Sequence, residues 1–481
     1  MILLLDSLLA KEEWRKYQLL KLLERSSYFA LTKKELMDHL EISNYVLKST
    51  IEQLIQDIEK YDLSQEIILC LEDPFVQLQI TGTASSETLL EKYVEESIGF
   101  TILLDAVLGK YKSLNELSEK RLISYPIVYN NFKLLNQYLS PYEIKIDKKF
   151  RLIGESEKNV RLFLTELFSR IYKCHYQVFT HTNEHRVLEM QEQLEKSKLT
   201  VHQKINLTHY LYISNLRIQQ QKYIEKETQD ALLGETDIKR EMEAPFFRSV
   251  PDGFREAEVA TFLYYFYSRS EELGNGLRLD KNTQIANWSQ NLLDKLVASF
   301  PKLRDHSDCN EIFLIRCRFL HFQLLETSSA SETIQPEINI QYFQQNYPAV
   351  LEFCRTYVKQ LQKTDPELYK KKKQVLLQYL FLILDSFPKE ILVEPINVYV
   401  DFSFGSLYNQ FITENLNFFH LVGAKITTDI ASADILLTDS RALGDTYKKE
   451  CVVWLSPPRP LDWANLGQKI IQKRNEKAKQ A

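Results

Sequence analysis

Apolar positions recur along most of this chain with a helical period, broken by strand alternation in three places. "EEWRKYQLLKLLERS" sets Trp14, Tyr17, Leu19, Leu20, Leu22 and Leu23 on a helical stripe. In "LTKKELMDHLEISNYVLKSTIEQLIQDIEKY", Thr32 stands three residues before Glu35, a capping-box pattern, so a short helix should run to about Leu40. "EIS" then makes a tight turn. Ser43 caps a longer helix whose apolar face carries Val46, Leu47, Ile51, Leu54, Ile55 and Ile58. Short helix, three-residue turn and longer helix together predict a helix-turn-helix. "EIILCLEDPFVQLQITG", with two apolar runs around Glu72-Asp73-Pro74, predicts a hairpin in the position of a wing.

The scheme then repeats. Ser113 caps "LNELSEKRL" with Glu116 three residues on, "IS" makes the turn, and Ser124 caps a helix that holds Pro126 in its first turn. Ile127, Val128, Phe132, Leu134, Leu135 and Leu139 are its expected buried face, and "YEIKIDKKFRLIG" is a second hairpin. Helices in "SSETLLEKYVEESIGFTILLDAVLG" link the two units.

From about 158 to 390 the amphipathic runs, among them "NVRLFLTELFSRIYKC", "THYLYISNLRIQQQKYI" and "EIFLIRCRFLHFQLLE", fit helical bundles. The length exceeds one bundle, and "GNGLRLDKN" suggests a division near 283. After Pro395 the period changes again. "INVYVDF", "AKITT", "ADILLTDS" and "CVVWLS" read as strands alternating with helices, which predicts a small parallel α/β domain. The expected fold class is mainly α and multidomain. Its expected parts are helix-turn-helix units with wing hairpins at 1–84 and 85–157, helical bundles at 158–282 and 283–392, and an α/β domain at 393–481.

Composition narrows this picture only a little. The 481 residues hold 44% hydrophobic and 26% charged side chains, with 12 Gly and 14 Pro, which fits a helix-rich globular protein. A net charge of −5 excludes a uniformly basic coat but leaves room for a local basic face. The six cysteines are scattered without a CxxC and read as free thiols. "MILLLDSLLA" lacks the basic start of a signal peptide, and "VLLQYLFLILDSF" is too short to span a bilayer, so a cytoplasmic protein without membrane contact is expected.

The two helix-turn-helix units differ in charge. Tyr28 to Lys60 nets −2, whereas Lys110 to Arg151 nets +5. Because lysine and arginine on phosphates supply most non-specific affinity, the second unit is the better DNA-binding candidate. Ser124, Tyr125, Tyr129, Asn130 and Lys133 lie toward the polar side of its second helix; Asn can pair with adenine, while Tyr and Lys suit phosphates. Lys120 and Arg121 precede it, and Lys145, Lys148, Lys149 and Arg151 belong to the wing. Asn44 and Lys48, with Ser43 and Gln53, are the weaker equivalents in the first unit. The same residues also fit a solvated helix face. "YKKKKQ" at 369–374 reads as a solvated helix start.

This order of parts, with patterns such as "YLYISNLRIQQQ", resembles the Mga/AtxA family of virulence regulators of Gram-positive bacteria across the whole chain. The resemblance implies that the bundles are phosphotransferase-system regulation domains (PRDs) and that the terminal domain is similar to an enzyme IIB component (EIIB-like). It also implies a transcriptional regulator, expected to be an activator, that works as a homodimer or higher oligomer on double-stranded DNA. PRD histidines of such proteins accept phosphate from a phosphocarrier protein, for which an imidazole nitrogen is chemically suited. His209, His202 and His321 are the candidates here, and each also fits a partly buried polar group. His175, His181 and His185 lack a third ligand, so no metal or other cofactor is expected. Enzyme IIB proteins place a phosphorylatable Cys after the first strand. "VYVDFSFGSLYNQF" has Ser403 in that loop, so phosphoryl relay is not expected and an oligomerisation role through Phe402, Phe404, Leu407 and Phe418 is. The chain is not read as an enzyme. Rival readings are a PRD-containing RNA-binding antiterminator, which would begin with a short β-rich module, and a phosphotransferase component, disfavoured by the missing thiol.

Overall fold

The computed structural model describes residues 4–26, 28–179, 187–188, 198–225, 247–269, 277–328, 330, 340–418, 423–454 and 456–480. The chain divides into two compact units, one of residues 1–277 with 325–336 and one of residues 278–324 with 337–481.

In the first unit, helix α1 (Lys11–Arg25) leads to strand β1 (Ala30–Thr32), then α2 (Lys33–Leu40) and α3 (Asn44–Lys60). Thr32 accepts the backbone N–H of Glu35, whose carboxylate returns to the Thr32 backbone at 2.8 Å, so the expected capping box forms. Strands β2 (Ile67–Glu72) and β3 (Phe75–Ile80) are the expected hairpin. β1 adds to it as a third antiparallel strand, a pairing that three residues of "ALT" could not signal. Leu19, Leu20, Leu23, Leu36, Leu47, Leu54 and Val76 close the core between helices and sheet.

Helices α4 (Ser86–Glu96) and α5 (Ile98–Leu108) link to the repeated set: α6 (Leu114–Arg121), α7 (Tyr125–Leu139), and strands β4 (Ile144–Ile146) and β5 (Leu152–Gly154). The two sets match at one spacing of 81 residues. Thr32 and Ser113 cap the first helices, Glu35 and Glu116 sit three residues on, and Ser43 and Ser124 open the second helices. Leu36 and Leu117, Leu47 and Val128, and Leu54 and Leu135 fill matching core positions. Even the turn conformations agree: Glu41 (φ 52°) and Leu122 (φ 55°) end the first helices in the left-handed region. Asp62 (φ 59°) and Glu143 (φ 61°) follow the second helices in the same way.

One expectation about α7 is corrected. Val128, Leu135 and Leu139 are buried, but Ile127 is 46% and Leu134 47% exposed. Both lie on the flank of a helix that is covered along a narrow stripe only, which sequence periodicity could not distinguish from the core.

Beyond β5 come the long helices α8 (Glu157–Tyr172), α9 (Val201–Gln219) and α10 (Asp252–Tyr267). They enclose an ionic chain: Arg161 donates to Glu258 at 2.6 and 2.8 Å, and Arg217 donates to Glu157 at 2.6 and 2.8 Å. Charges this deeply buried are tolerated only as paired, hydrogen-bonded sets.

The second unit contains α11 (Thr283–Ser299), most of α12 (Ser307–Leu325), α13 (Pro348–Thr364) and α14 (Lys372–Ser386). It ends in an α/β portion of β6 (Ile396–Val400), α15 (Ser406–Phe418), β7 (Ala424–Ile426), β8 (Ile435–Thr438), α16 (Arg441–Tyr447), β9 (Glu450–Val453) and α17 (Pro460–Gln480). Its four strands are all parallel in the order β7-β6-β8-β9, as the alternation of strands and helices predicts. Cys451 lies within β9. Ile396, Val398, Ile435, Leu437 and Trp454 form the core of this portion.

Candidate nucleic-acid interface

The turn between α6 and α7 is set by its backbone. Ile123 N–H donates to the Ser118 carbonyl at 3.1 Å, as Ile42 N–H does to Met37 in the first unit, also at 3.1 Å. Ser118 Oγ donates to the Ile123 carbonyl at 2.6 Å and tightens the corner. Ser124 stands at the N-cap position but makes no capping side-chain bond, and it remains exposed. Pro126 and the extended Ser124 backbone start the helix in its place.

Opposite the buried Val128, Leu135 and Leu139, the helical period puts Pro126, Asn130, Lys133 and Gln137 on one outward row, all exposed. Tyr125 and Tyr129 flank this row, 43% and 48% exposed, with rings stacked at 6.0 Å and 20°. Gln137 escaped the sequence reading, although its spacing from Asn130 and Lys133 was available. With Tyr129, Phe132, Lys133, Asn136 and Ser140 it lines a shallow open groove. Asn131 is turned back on its own helix, donating to the Ile127 carbonyl at 2.9 Å.

Asn136 has a different role. Its amide accepts from Ile146 N–H at 2.7 Å and donates to the Ile146 carbonyl at 3.2 Å, fastening wing strand β4 to α7. The wing turn is organised by Asp147. Its carboxylate accepts the backbone N–H of Lys149 and Arg151 at 2.9 Å each, and the Arg151 guanidinium at 2.6 and 3.0 Å. Although partial burial works the other way, these bonds hold the Asp147 carboxyl below the usual carboxylate range. Lys148 and Lys149 are exposed at the tip, and Lys145 points outward from β4.

Two of the expected arginines are held in ion pairs within the chain, although both remain exposed. Arg121 makes a two-pronged bond to fully buried Asp105, at 2.8 and 3.0 Å, and Arg151 is held by Asp147. Lys120 is exposed on the last turn of α6. The outward basic set on this surface is therefore Lys120, Lys133, Lys145, Lys148 and Lys149.

In the first unit, Asn44 and Lys48 are exposed near the start of α3, together with Tyr45 at 83%. Glu52 occupies the place that Lys133 holds in the second, and the tip of the hairpin carries Glu72 and Asp73 where the other has Lys148 and Lys149. Lys33 is paired to Asp73 at 2.7 Å.

The candidate histidines sit in contrasting places. His202 is exposed in the first turn of α9. His209 is fully buried, with Nε2 donating to the Lys173 carbonyl at 2.7 Å and its ring against Tyr176 and Phe179; burial lowers its pKa to about 4. His321 is also fully buried. Nδ1 lies 2.8 Å from Ser289 Oγ and Nε2 2.8 Å from the Tyr379 hydroxyl, and burial lowers its pKa to about 3. Since Ser289 already donates to the Ile285 carbonyl at 2.8 Å, its oxygen accepts from Nδ1–H and Nε2 accepts from Tyr379. This neutral ring is fully satisfied, and neither buried histidine presents a nitrogen to a phosphocarrier in this conformation. His175 is exposed, whereas His181 and His185 lie outside the described residues.

In the α/β portion, Ser403 Oγ donates to Asp439 at 2.5 Å. Phe402 is only 3% exposed and belongs to the core, which corrects its expected contact role. Phe404 (69%) and Leu407 (83%) are exposed, and Phe411 (51%), not anticipated, continues their stripe along α15. Phe418 closes α15, and its side chain lies outside the described residues. Among the described residues, no helix is long and apolar enough to cross a membrane, and no three His, Cys, Asp or Glu side chains gather as a metal site.

Comparison with curated proteins finds no match. Residues 82–168 match the model described as the Mga helix-turn-helix domain, a span that takes in α4 to α7, the second wing and most of α8. The match covers this domain alone, and there the chain is similar to the Mga/AtxA family of DNA-binding transcriptional regulators.

Proposed function

We propose that the chain regulates transcription by binding duplex DNA chiefly through its second helix-turn-helix unit. The observation that carries this reading is the exposed row of Asn130, Lys133 and Gln137 on α7, beside a wing tip of Lys148 and Lys149. Lysines neutralise phosphates and give orientation, while amide side chains can read base edges in the major groove. Ser124, Tyr125, Tyr129, Lys120 and Lys145 complete the surface, and Asn44 and Lys48 make a lesser contribution from the first unit.

In this reading residues 158–282 and 283–392 are PRD-type bundles, and residues 393–481 are an EIIB-like domain that assembles the protein through Phe404 and Leu407. The domain has Ser403 in place of a phosphoryl-accepting thiol. Tuning by a phosphocarrier protein would act first at exposed His202, whereas His209 and His321 would need to open. The chain acts in the cytoplasm and is not an enzyme. The deciding experiment is competition between a DNA duplex and hairpin RNA for the purified full chain at low ionic strength. Preference for the duplex, lost on Lys133→Glu, is expected; preference for RNA would favour an antiterminator and overturn the reading.

A further inference from the structure

The charged and amide groups at the C-terminal end of α9 reach out of the helical region into the helix-turn-helix unit. Arg217 is 2% exposed. Its Nε and Nη2 grip Glu157, in the first turn of α8, while Nη1 donates to the Leu152 carbonyl in wing strand β5 at 3.2 Å and to Gln220 Oε1 at 3.4 Å. Gln220, one turn on, donates through Nε2 to the Val107 carbonyl at the end of α5 at 2.8 Å. Two adjacent side chains of one helix end thus hold both the wing and the helix that precedes the second helix-turn-helix. Glu157 accepts also from Arg161, which is bonded to Glu258 of α10. The wing is thereby tied through a buried ionic chain to three long helices.

We propose that Arg217 and Gln220 are positioning residues for DNA binding. Arg217 holds the wing and Gln220 braces Arg217 against the end of α5, so that any displacement of α9 is passed to Lys148 and Lys149 at the wing tip. The inference rests on the reading of the second unit as the DNA-binding one. The physical case is leverage. β5 pairs with β4 over only three registers, Ile144 to Gly154, Lys145 to Ile153 and Ile146 to Leu152, so the ribbon is too short to hold itself rigid. Its own Ile144, Ile146, Phe150 and Leu152 are buried beneath it, and two polar side chains fix its backbone from outside, Asn136 on β4 and Arg217 on β5. Arginine suits the second task because its planar fork bonds the Glu157 carboxylate and a backbone carbonyl together, which a lysine ammonium cannot reproduce. Arg217 and Gln220 touch no DNA in this scheme.

The test uses the full chain carrying Gln220→Ala or Arg217→Lys, a mixed-sequence DNA duplex at low ionic strength, and hydrogen exchange of the wing amides without DNA. Faster exchange across residues 144–154 and about a five- to tenfold weaker duplex affinity are expected, a coupling in the usual range. In a Lys148→Ala, Lys149→Ala background the same substitutions should cost nothing more, because the lever then has no charge to place. A purely structural role would lower affinity in both backgrounds alike. Unchanged wing exchange, unchanged affinity or full additivity with the wing substitutions would overturn the proposal. Should Arg217→Lys fail to fold, Gln220→Ala still decides, because Gln220 is only half-buried. Failure of the unsubstituted chain to bind the duplex would instead strike the function proposed for the second unit, and wing exchange would still report on the clamp.

Discussion

Lys133 and Glu52 hold the same place on two copies of one local fold and carry opposite charge. They are 81 residues apart, the spacing that also separates the caps, the turns and the core positions of the two helix-turn-helix units. Both are exposed, on the outward row of α7 and of α3. The wing tips repeat the inversion, with Glu72 and Asp73 against Lys148 and Lys149. The two units share a backbone plan and differ in what that plan can attract.

Salt dependence should expose this difference. Each phosphate contact contributes about 0.9 to the slope of log affinity against log salt, so Lys148→Ala with Lys149→Ala should lower that slope by about 2. Removal of Lys48 from the first unit should change it by less. An anisotropy titration across ionic strengths measures both, and an equal or larger change from Lys48→Ala would reverse the ranking of the units.

Asn130 and Gln137 should act on sequence preference rather than on salt. A base-reading amide is worth about 1–3 kcal/mol of discrimination, so Asn130→Ala or Gln137→Ala should flatten binding among duplexes that differ at one position. The salt slope should stay as in the parent. Selection from a randomised duplex pool gives the readout, and an unaltered preference would leave these amides as surface polar groups.

Arg121 should matter for stability and not for DNA. Its guanidinium neutralises Asp105, which has no exposure, while Arg121 itself is 37% exposed. Losing it leaves a buried carboxylate with only Lys110 at 3.4 Å, a cost of about 2 kcal/mol once solvent screening is allowed for. Arg121→Ala should therefore shift the denaturant midpoint with little effect on the salt slope of the folded protein.

His321 makes stability depend on pH. Its folded pKa of about 3 lies below the ordinary value of 6.5, because burial among Ser289, Tyr379 and Trp288 disfavours the charged ring. The unfolded chain therefore takes up the proton first as pH falls. The His321 contribution is complete above about 6.5 and is lost from there down toward 3, at about 1.4 kcal/mol per pH unit. His321→Gln should make denaturant stability less steep in pH across that window; an unchanged slope would show that the ring is hydrated.

Leu407 tests the association surface on α15. At 83% exposure it contributes little to the fold, so Leu407→Glu should leave secondary structure intact. Sedimentation velocity should then show a smaller species than the parent. No change in size would remove the stripe of Phe404, Leu407 and Phe411 from the interface.

Much of the fold was legible because local signals agreed with one another. Thr32 with Glu35, and Ser113 with Glu116, mark helix starts through a donor that must be satisfied within three residues. The parallel sheet followed from strands alternating with helices after Pro395. The site was less legible. Arg121 and Lys120 are neighbours with the same charge in sequence, yet one is spent on Asp105 and the other faces outward. Phe402 and Phe404 likewise part company, the first into the core and the second into the open.

What the sequence determined by itself is periodicity, capping and charge balance, all of which act between residues close along the chain. The tertiary structure decided which side chains those elements leave free. Arg217 finds Glu157 sixty positions away, and Gln220 finds Val107 one hundred and thirteen away. Partners so distant meet only after the helices pack, because burial removes water as the competing partner and obliges each polar group to find another. That obligation turns an ordinary "NLRIQQQ" helix end into the support of a wing.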